Sequence, residues 1–190
     1  MGEGVGVAVG TGTGVGSTAP YSKTPMSKLP PAGGSVPEEL HYYSSPGRTE
    51  LGGNHTDHNN GCVLAASVDL DMVAAARPRG DTRVTLASEG YAPLSLDIAD
   101  TVPRQEERGS PASIIRGLAG WLSRRRAPPP RGFDIAMDSD VPAGSGLSSS
   151  AAFELLMASI FDDIGNYGFS PTEWAVAGQF AENEYFGKPC

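Results

Sequence analysis

Between Val141 and Phe153 the chain reads Val-Pro-Ala-Gly-Ser-Gly-Leu-Ser-Ser-Ser-Ala-Ala-Phe, setting a proline, two glycines and four serines against the start of an apolar run with helical spacing. Gly144 and Gly146 lack a Cβ, so the backbone can turn left-handed there and bring its N–H groups close to a ligand. Ser148, Ser149 and Ser150 fall where a helix leaves its first N–H groups unpaired and where the macrodipole adds partial positive charge. Phosphate is the expected guest of such a backbone. The stretch is not a P-loop, because no Gly-Lys-Ser/Thr follows, and not a dinucleotide fingerprint, because the third glycine is missing. It is not a hydrolase elbow either, since no serine here has glycines two residues to both sides. The bland alternative is a glycine-rich turn before an ordinary serine-capped helix.

A second polar stretch, Gly47-Arg-Thr-Glu-Leu-Gly-Gly-Asn-His-Thr-Asp-His-Asn-Asn-Gly61, holds two of the three histidines. It is too polar and too rich in glycine for a core strand. Arg48 with Asn54, His55 and Asp57 admits three readings. The first is a solvated surface loop with turn residues. In the second, His55, Asp57 and His58 ligate zinc or a similar ion, although no fourth ligand is obvious. In the third they hydrogen-bond a polyhydroxylated substrate, while Arg48 neutralises charge developing on a transferred phosphoryl group.

The elements that must position these residues follow from periodicity. Glu38 to Tyr43 leads into a turn at Ser44-Ser45-Pro46-Gly47, and Cys62 to Ala74 has an apolar run and then an alternation that suggests a strand. Arg83–Ser88 and Tyr91–Asp97 are weaker strands joined as a hairpin through Glu89-Gly90. Ser110-Pro111 opens a helix with serine at the cap, and Ile114, Ile115, Leu118, Trp121 and Leu122 form its apolar face. Gly132 to Asp138 alternates Phe133, Ile135 and Met137 with polar or small residues, the pattern of a half-buried strand feeding the phosphate loop. The helix behind the loop carries Phe153, Leu156, Met157, Ile160 and Ile164 on one stripe and ends at Gly165. Ser170-Pro-Thr-Glu173 is a capping box for a last helix with Trp174, Ala177, Ala181 and Tyr185 on one face. Strands and helices in this mixture favour an α+β fold over a parallel doubly wound one.

Composition sets outer bounds. With 190 residues, residues 1–36 read as a disordered Gly-rich tail and 37–190 as one domain with enough length for a core. A net charge of −8 argues against a nucleic-acid binder, and the single basic cluster, Arg124-Arg125-Arg126, runs into prolines and reads as a solvated loop. Two cysteines, Cys62 and Cys190, are too few for a disulfide framework and fit a reduced cytosol. The Gly/Val/Thr-rich start has no basic segment and no long apolar run, so neither a signal peptide nor a membrane span is expected. The expected location is cytoplasmic.

The order Pro-x-Gly-x-Gly-Leu-Ser-Ser-Ser-Ala resembles the phosphate loop of the GHMP small-molecule kinases. The resemblance implies an N-terminal domain of the kind called ribosomal protein S5 domain 2-like, a mixed sheet with helices. It also implies that Pro142, Gly144, Ser145, Gly146, Leu147, Ser148, Ser149 and Ser150 hold the phosphates of ATP. Within that family, the second stretch is similar to the galactokinase signature Gly-Arg-x-Asn-Leu-Ile-Gly-Glu-His-Thr-Asp-Tyr-Asn. Arg48, His55, Asp57 and Asn59 match it, whereas Glu50, Gly52, Asn54 and His58 depart from it. Asn54 stands where the family has a sugar-binding glutamate, and an amide oxygen accepts hydroxyl hydrogen bonds less strongly than a carboxylate, which leaves the sugar open. A third block, Gln179-Phe-Ala-Glu-Asn-Glu-Tyr-Phe-Gly-Lys-Pro-Cys190, resembles the galactokinase segment Gln-x-Ala-Glu-His-x-Phe-x-Gly-x-Pro-Cys. By that resemblance Glu182 and Ser150 hold magnesium.

In galactokinases the Pro-Cys is followed by Gly-x-x-Asp-Gln, whose aspartate positions or deprotonates the attacking sugar hydroxyl; this sequence ends at Cys190, before it. The resemblance therefore implies the N-terminal part of a sugar-1-kinase using ATP and Mg2+, with the C-terminal half of the same kinase as its missing partner. From charge and composition, no nucleic-acid or membrane partner is expected. The chain alone is expected to be inactive. A sugar- and nucleotide-binding sensor without catalysis, or a truncated gene product, are the competing expectations.

Overall fold

The structure, a computed structural model, describes residues 40–53 and 63–188. Five strands, β1 (His41–Gly52), β2 (Leu64–Pro78), β3 (Arg83–Ser88), β4 (Leu94–Asp97) and β5 (Phe133–Ser139), form one sheet in the order β1-β2-β5-β3-β4. β3 and β5 run parallel and every other neighbouring pair is antiparallel, so the sheet is mixed and the fold α+β as expected. Three helices complete it: α1 (Pro111–Arg124), α2 (Ser149–Gly165) and α3 (Pro171–Ala181). A π-helical turn, Glu182–Phe186, continues α3.

β1 is the largest departure from the sequence reading. Ser44-Ser45-Pro46-Gly47 is not a turn but the middle of a strand, and Arg48 lies within it. The strand tolerates proline because β1 is an edge, where an absent N–H can face away from the sheet. A register shift between Pro46 and Arg48 absorbs the irregularity as a bulge. Its first residues are tied to the far end of α2, since the Asp163 carboxylate bonds His41 Nδ1 at 2.7 Å and accepts from the Tyr43 hydroxyl at 2.6 Å.

β5 is central, and its second face is buried as well. Phe133, Ile135 and Met137 point into the core, where Phe133 meets Phe161 of α2 edge-on at 5.1 Å. Asp134, expected on a wet face, is 1% exposed. Its carboxylate is satisfied by Arg77 at 3.1 Å, Arg79 at 2.9 Å and the Thr85 hydroxyl at 2.5 Å, so a buried charge is matched by two cations.

α1 likewise buries more than the expected stripe: every residue from Ala112 to Leu122 is buried. Arg116 among them is fully satisfied, bidentate to Glu107 at 2.7 Å and bonded to the carbonyls of Asp97 and Asp100. Gly117 and Gly120 form the groove for the next layer; a Cβ on Gly117 would lie 2.6 Å from Ala181 Cβ, and one on Gly120 would lie 2.2 Å from the Tyr185 hydroxyl. Ser110 occupies the N-cap position without capping by its side chain, which donates instead to the Glu107 carbonyl at 2.6 Å. The Ser170–Glu173 capping box on α3 is complete in both directions. Arg124 closes α1 rather than lying in a loop, and Arg124 and Arg125 stack over the rings of Phe180 and Trp121.

Among the described residues no helix is long and apolar enough to cross a membrane.

Candidate functional site

The segment from Val141 to Ser150 joins β5 to α2. Val141 is buried and anchors its start, while residues 142–146 are exposed. Gly144 (φ 73°), Gly146 (φ 79°) and Ser148 (φ 57°) are left-handed, and the residues between them are not. Alternation of this kind is the backbone pattern of an anion nest, although here the N–H groups of Ser145 and Leu147 are bonded within the loop, to the Pro142 carbonyl and the Ser145 hydroxyl, each at 3.3 Å. Two of the three positions are glycine, which adopts such angles without penalty. Ser148 is the N-cap of α2 and makes no side-chain capping bond, so the first N–H groups of that helix are not closed off by its hydroxyl. Its left-handed backbone costs about 1–3 kcal/mol that the surrounding structure must supply. Ser145 braces the loop internally: its hydroxyl donates to the Pro142 carbonyl at 2.7 Å and accepts from the Leu147 N–H at 3.3 Å.

The loop is bound to β1 at one point. The Arg48 N–H donates to the Leu147 carbonyl at 3.0 Å, which ties the backbone of this exposed residue to the loop. Gly47 permits the approach, because a Cβ there would stand 3.1 Å from the Leu147 carbonyl oxygen and 3.2 Å from the methyls of Val141 and Val68. The bulge that looked like a turn is thus the device that brings Arg48 to the loop.

Two acids meet between α2 and the π turn. Glu182, the first residue of the π turn, and Glu154, one helical turn after Ser150 on α2, are each 8% exposed and hydrogen-bond to one another. Burial, the charge of Glu182 and that hydrogen bond, in that order, push the Glu154 carboxyl up to about 9, so the pair holds a proton at neutral pH. Glu154 Oε1 has no hydrogen-bond partner. The π turn that presents Glu182 is fixed by Tyr185, whose hydroxyl donates to the Thr101 carbonyl at 2.7 Å, and by Gly187, whose N–H donates to the Glu182 carbonyl at 2.9 Å. π turns inside helices recur at functional sites.

The structure therefore ties the Arg48 backbone to the loop at Leu147 and sets Glu182 against Glu154, one turn of α2 beyond Ser150. Asn54, His55 and Asp57, together with His58, Asn59, Cys62, Cys190 and the tail 1–36, lie outside the described residues. Among the described residues no three His, Cys, Asp or Glu side chains gather as a metal site. Sequence reasoning passed over Glu154, although its spacing of four from Ser150 was the available signal.

Comparison with known proteins bears on the whole arrangement. Residues 33–78 match the galactokinase galactose-binding signature and residues 113–190 match the GHMP kinases N terminal domain. The chain is 35% identical over 153 residues to a galactokinase of Lactococcus lactis, and 40% identical over 147 residues to one of Chloroflexus aurantiacus. These alignments cover 79% and 77% of this chain but 38% and 37% of the relatives, so the chain spans well under half the length of each. The crystal structure of Lactococcus lactis galactokinase complexed with galactose superposes with a TM-score of 0.73 at 33% identity, covering 80% of this chain and 39% of that one. The Methanococcus jannaschii mevalonate kinase, at 20% identity, a TM-score of 0.65 and coverage of 80% and 48%, shares the fold.

Proposed function

This chain belongs to the galactokinases of the GHMP kinase family, as a partial N-terminal region, and on that premise we propose that it is the N-terminal part of a kinase that phosphorylates the anomeric hydroxyl of galactose or a related sugar from ATP. The observation that carries the reading is the alternating left-handed loop at the head of α2, with Arg48 tied beside it and Glu182 held buried near the same helix. The donor set fits the expected ligands. N–H groups of the nest and of the α2 N-terminus suit phosphate oxygens, and a serine hydroxyl with buried carboxylates suits a hard divalent ion.

In this reading Pro142, Gly144, Ser145, Gly146, Leu147, Ser148 and Ser149 shape the cradle for the nucleotide phosphates. Ser150 and Glu182 hold Mg2+, which when bound neutralises phosphate charge. Arg48 stabilises negative charge that grows on the transferred phosphoryl oxygens. Asn54, His55 and Asp57 hydrogen-bond the sugar hydroxyls. Positioning of the attacking hydroxyl falls to the remainder of the kinase, and residues 37–190 act as one domain with 1–36 as a tail. The protein works in the cytoplasm, on small molecules.

The test is made in the longer protein. Ser150→Ala and Glu182→Ala should each lower kcat for ATP-dependent sugar-1-phosphate formation by about 10²-fold or more, since each removes a group that acts as phosphoryl charge develops. Near-normal turnover in both would remove the magnesium assignment.

A further inference from the structure

Glu154 has no role in the reading above, and its surroundings are unusual. It lies on α2 one turn beyond Ser150, so the two side chains share a face of the helix. It is 8% exposed, hydrogen-bonds to Glu182, and leaves Oε1 without any partner. Gly178 of α3 keeps the space open, since a Cβ there would lie 2.9 Å from Glu154 Oε2. A buried carboxyl used only for packing is better replaced by an apolar side chain, because an unpartnered buried oxygen loses its hydration and gains nothing in return. An oxygen left open beside a second carboxylate is a vacant acceptor for a cation. Magnesium is characteristically held through one or two carboxylates together with water and phosphate oxygens, and two adjoining carboxylates on α2 and the π turn, one turn of helix beyond Ser150, suit that pattern.

We propose that Glu154 is a second carboxylate of the divalent-cation site, acting with Glu182 and Ser150. The inference rests on the reading of Glu182 as a metal ligand and deepens it. Glu154 either contacts the ion through Oε1 or holds one of its waters.

The experiment titrates the 190-residue chain with Mn2+ alone and counts bound ion from the loss of the free-ion electron paramagnetic resonance signal. Glu154→Gln keeps the size of the side chain and can still donate a hydrogen bond to Glu182, so a merely structural role would leave binding unmoved. We expect it to weaken Mn2+ binding about tenfold, and Glu182→Gln by at least as much. Circular dichroism and thermal melting without metal check that each variant is folded. Gly178→Ala is the second variant: it crowds the Glu154 carboxyl without removing a charge, and weaker Mn2+ binding is again expected. Should Glu154→Gln fail to fold, Gly178→Ala decides, unchanged affinity overturning the proposal. Wild-type affinity in Glu154→Gln with loss in Glu182→Gln overturns the role of Glu154 alone and leaves Glu182 as a ligand. Absence of Mn2+ binding by the parent chain, or wild-type affinity in both variants, overturns both.

Discussion

Glu154 shows how much one side chain can change the behaviour of this protein. Its carboxyl has an ordinary value of 4.5 and is pushed up to about 9 in the folded state, first by burial and then by Glu182. Between those values the folded chain keeps a proton that the unfolded chain releases, so the stabilising contribution is complete below 4.5 and is lost as pH rises toward 9. The slope can reach about 1.4 kcal/mol per pH unit. Urea denaturation with a chelator present, repeated across neutral to alkaline pH, should show stability falling with pH, and Glu154→Gln should flatten that fall. Parallel curves would mean that the pair does not hold the proton. Asp134 is the contrast: it is equally removed from water, yet two arginines and a hydroxyl satisfy it, so it reads as structure rather than as a site.

Elements matter here through where they touch. The π turn presents Glu182 only because α1 is lined with Gly117 and Gly120 at the contact, letting Ala181 and Tyr185 sit against its backbone. Gly120→Ala would put a methyl 2.2 Å from the Tyr185 hydroxyl and drive it from the Thr101 carbonyl. We expect a loss of about 1–3 kcal/mol in chemical denaturation, together with weaker Mn2+ binding as Glu182 shifts. Gly52→Ala, with nothing within 4 Å of its Cβ, is the control and should change stability by no more than about 0.5 kcal/mol. At the head of α3, Ser170→Ala removes a complete capping box and should lower stability by about 0.5–2 kcal/mol, read as a drop in urea midpoint.

For the molecule as a whole, the chain spans 38% of the length of the Lactococcus lactis relative, and it carries an alternating left-handed loop, Arg48 tied to that loop through its backbone, and the buried Glu154–Glu182 pair. We expect no ATP-dependent sugar-1-phosphate from the purified chain under conditions where a longer protein turns over, because the chain spans 38% of the length of the Lactococcus lactis relative. Product from the chain alone would overturn that expectation. The α+β class, β3, β5, the three helices and the capping box were legible in the sequence, because each depends on local periodicity or on a side chain three or four residues away. The phosphate loop was legible for the same reason: glycine alternation dictates a left-handed backbone within one short segment. β1 was not, because Pro46-Gly47 carries the local signature of a turn, and only pairing with β2 at an edge makes it a bulged strand beside the loop. Glu182 was singled out by resemblance, but its pairing with Glu154 was not legible. Glu154 and Glu182 are separated along the chain by the end of α2 and the whole of α3, and nothing local marks either as buried. Sequence determined which backbone turns left-handed at the head of α2; the packing of α1 against the π turn, and of β1 against the loop, decided that Glu182 meets Glu154 and that Arg48 is tied to Leu147.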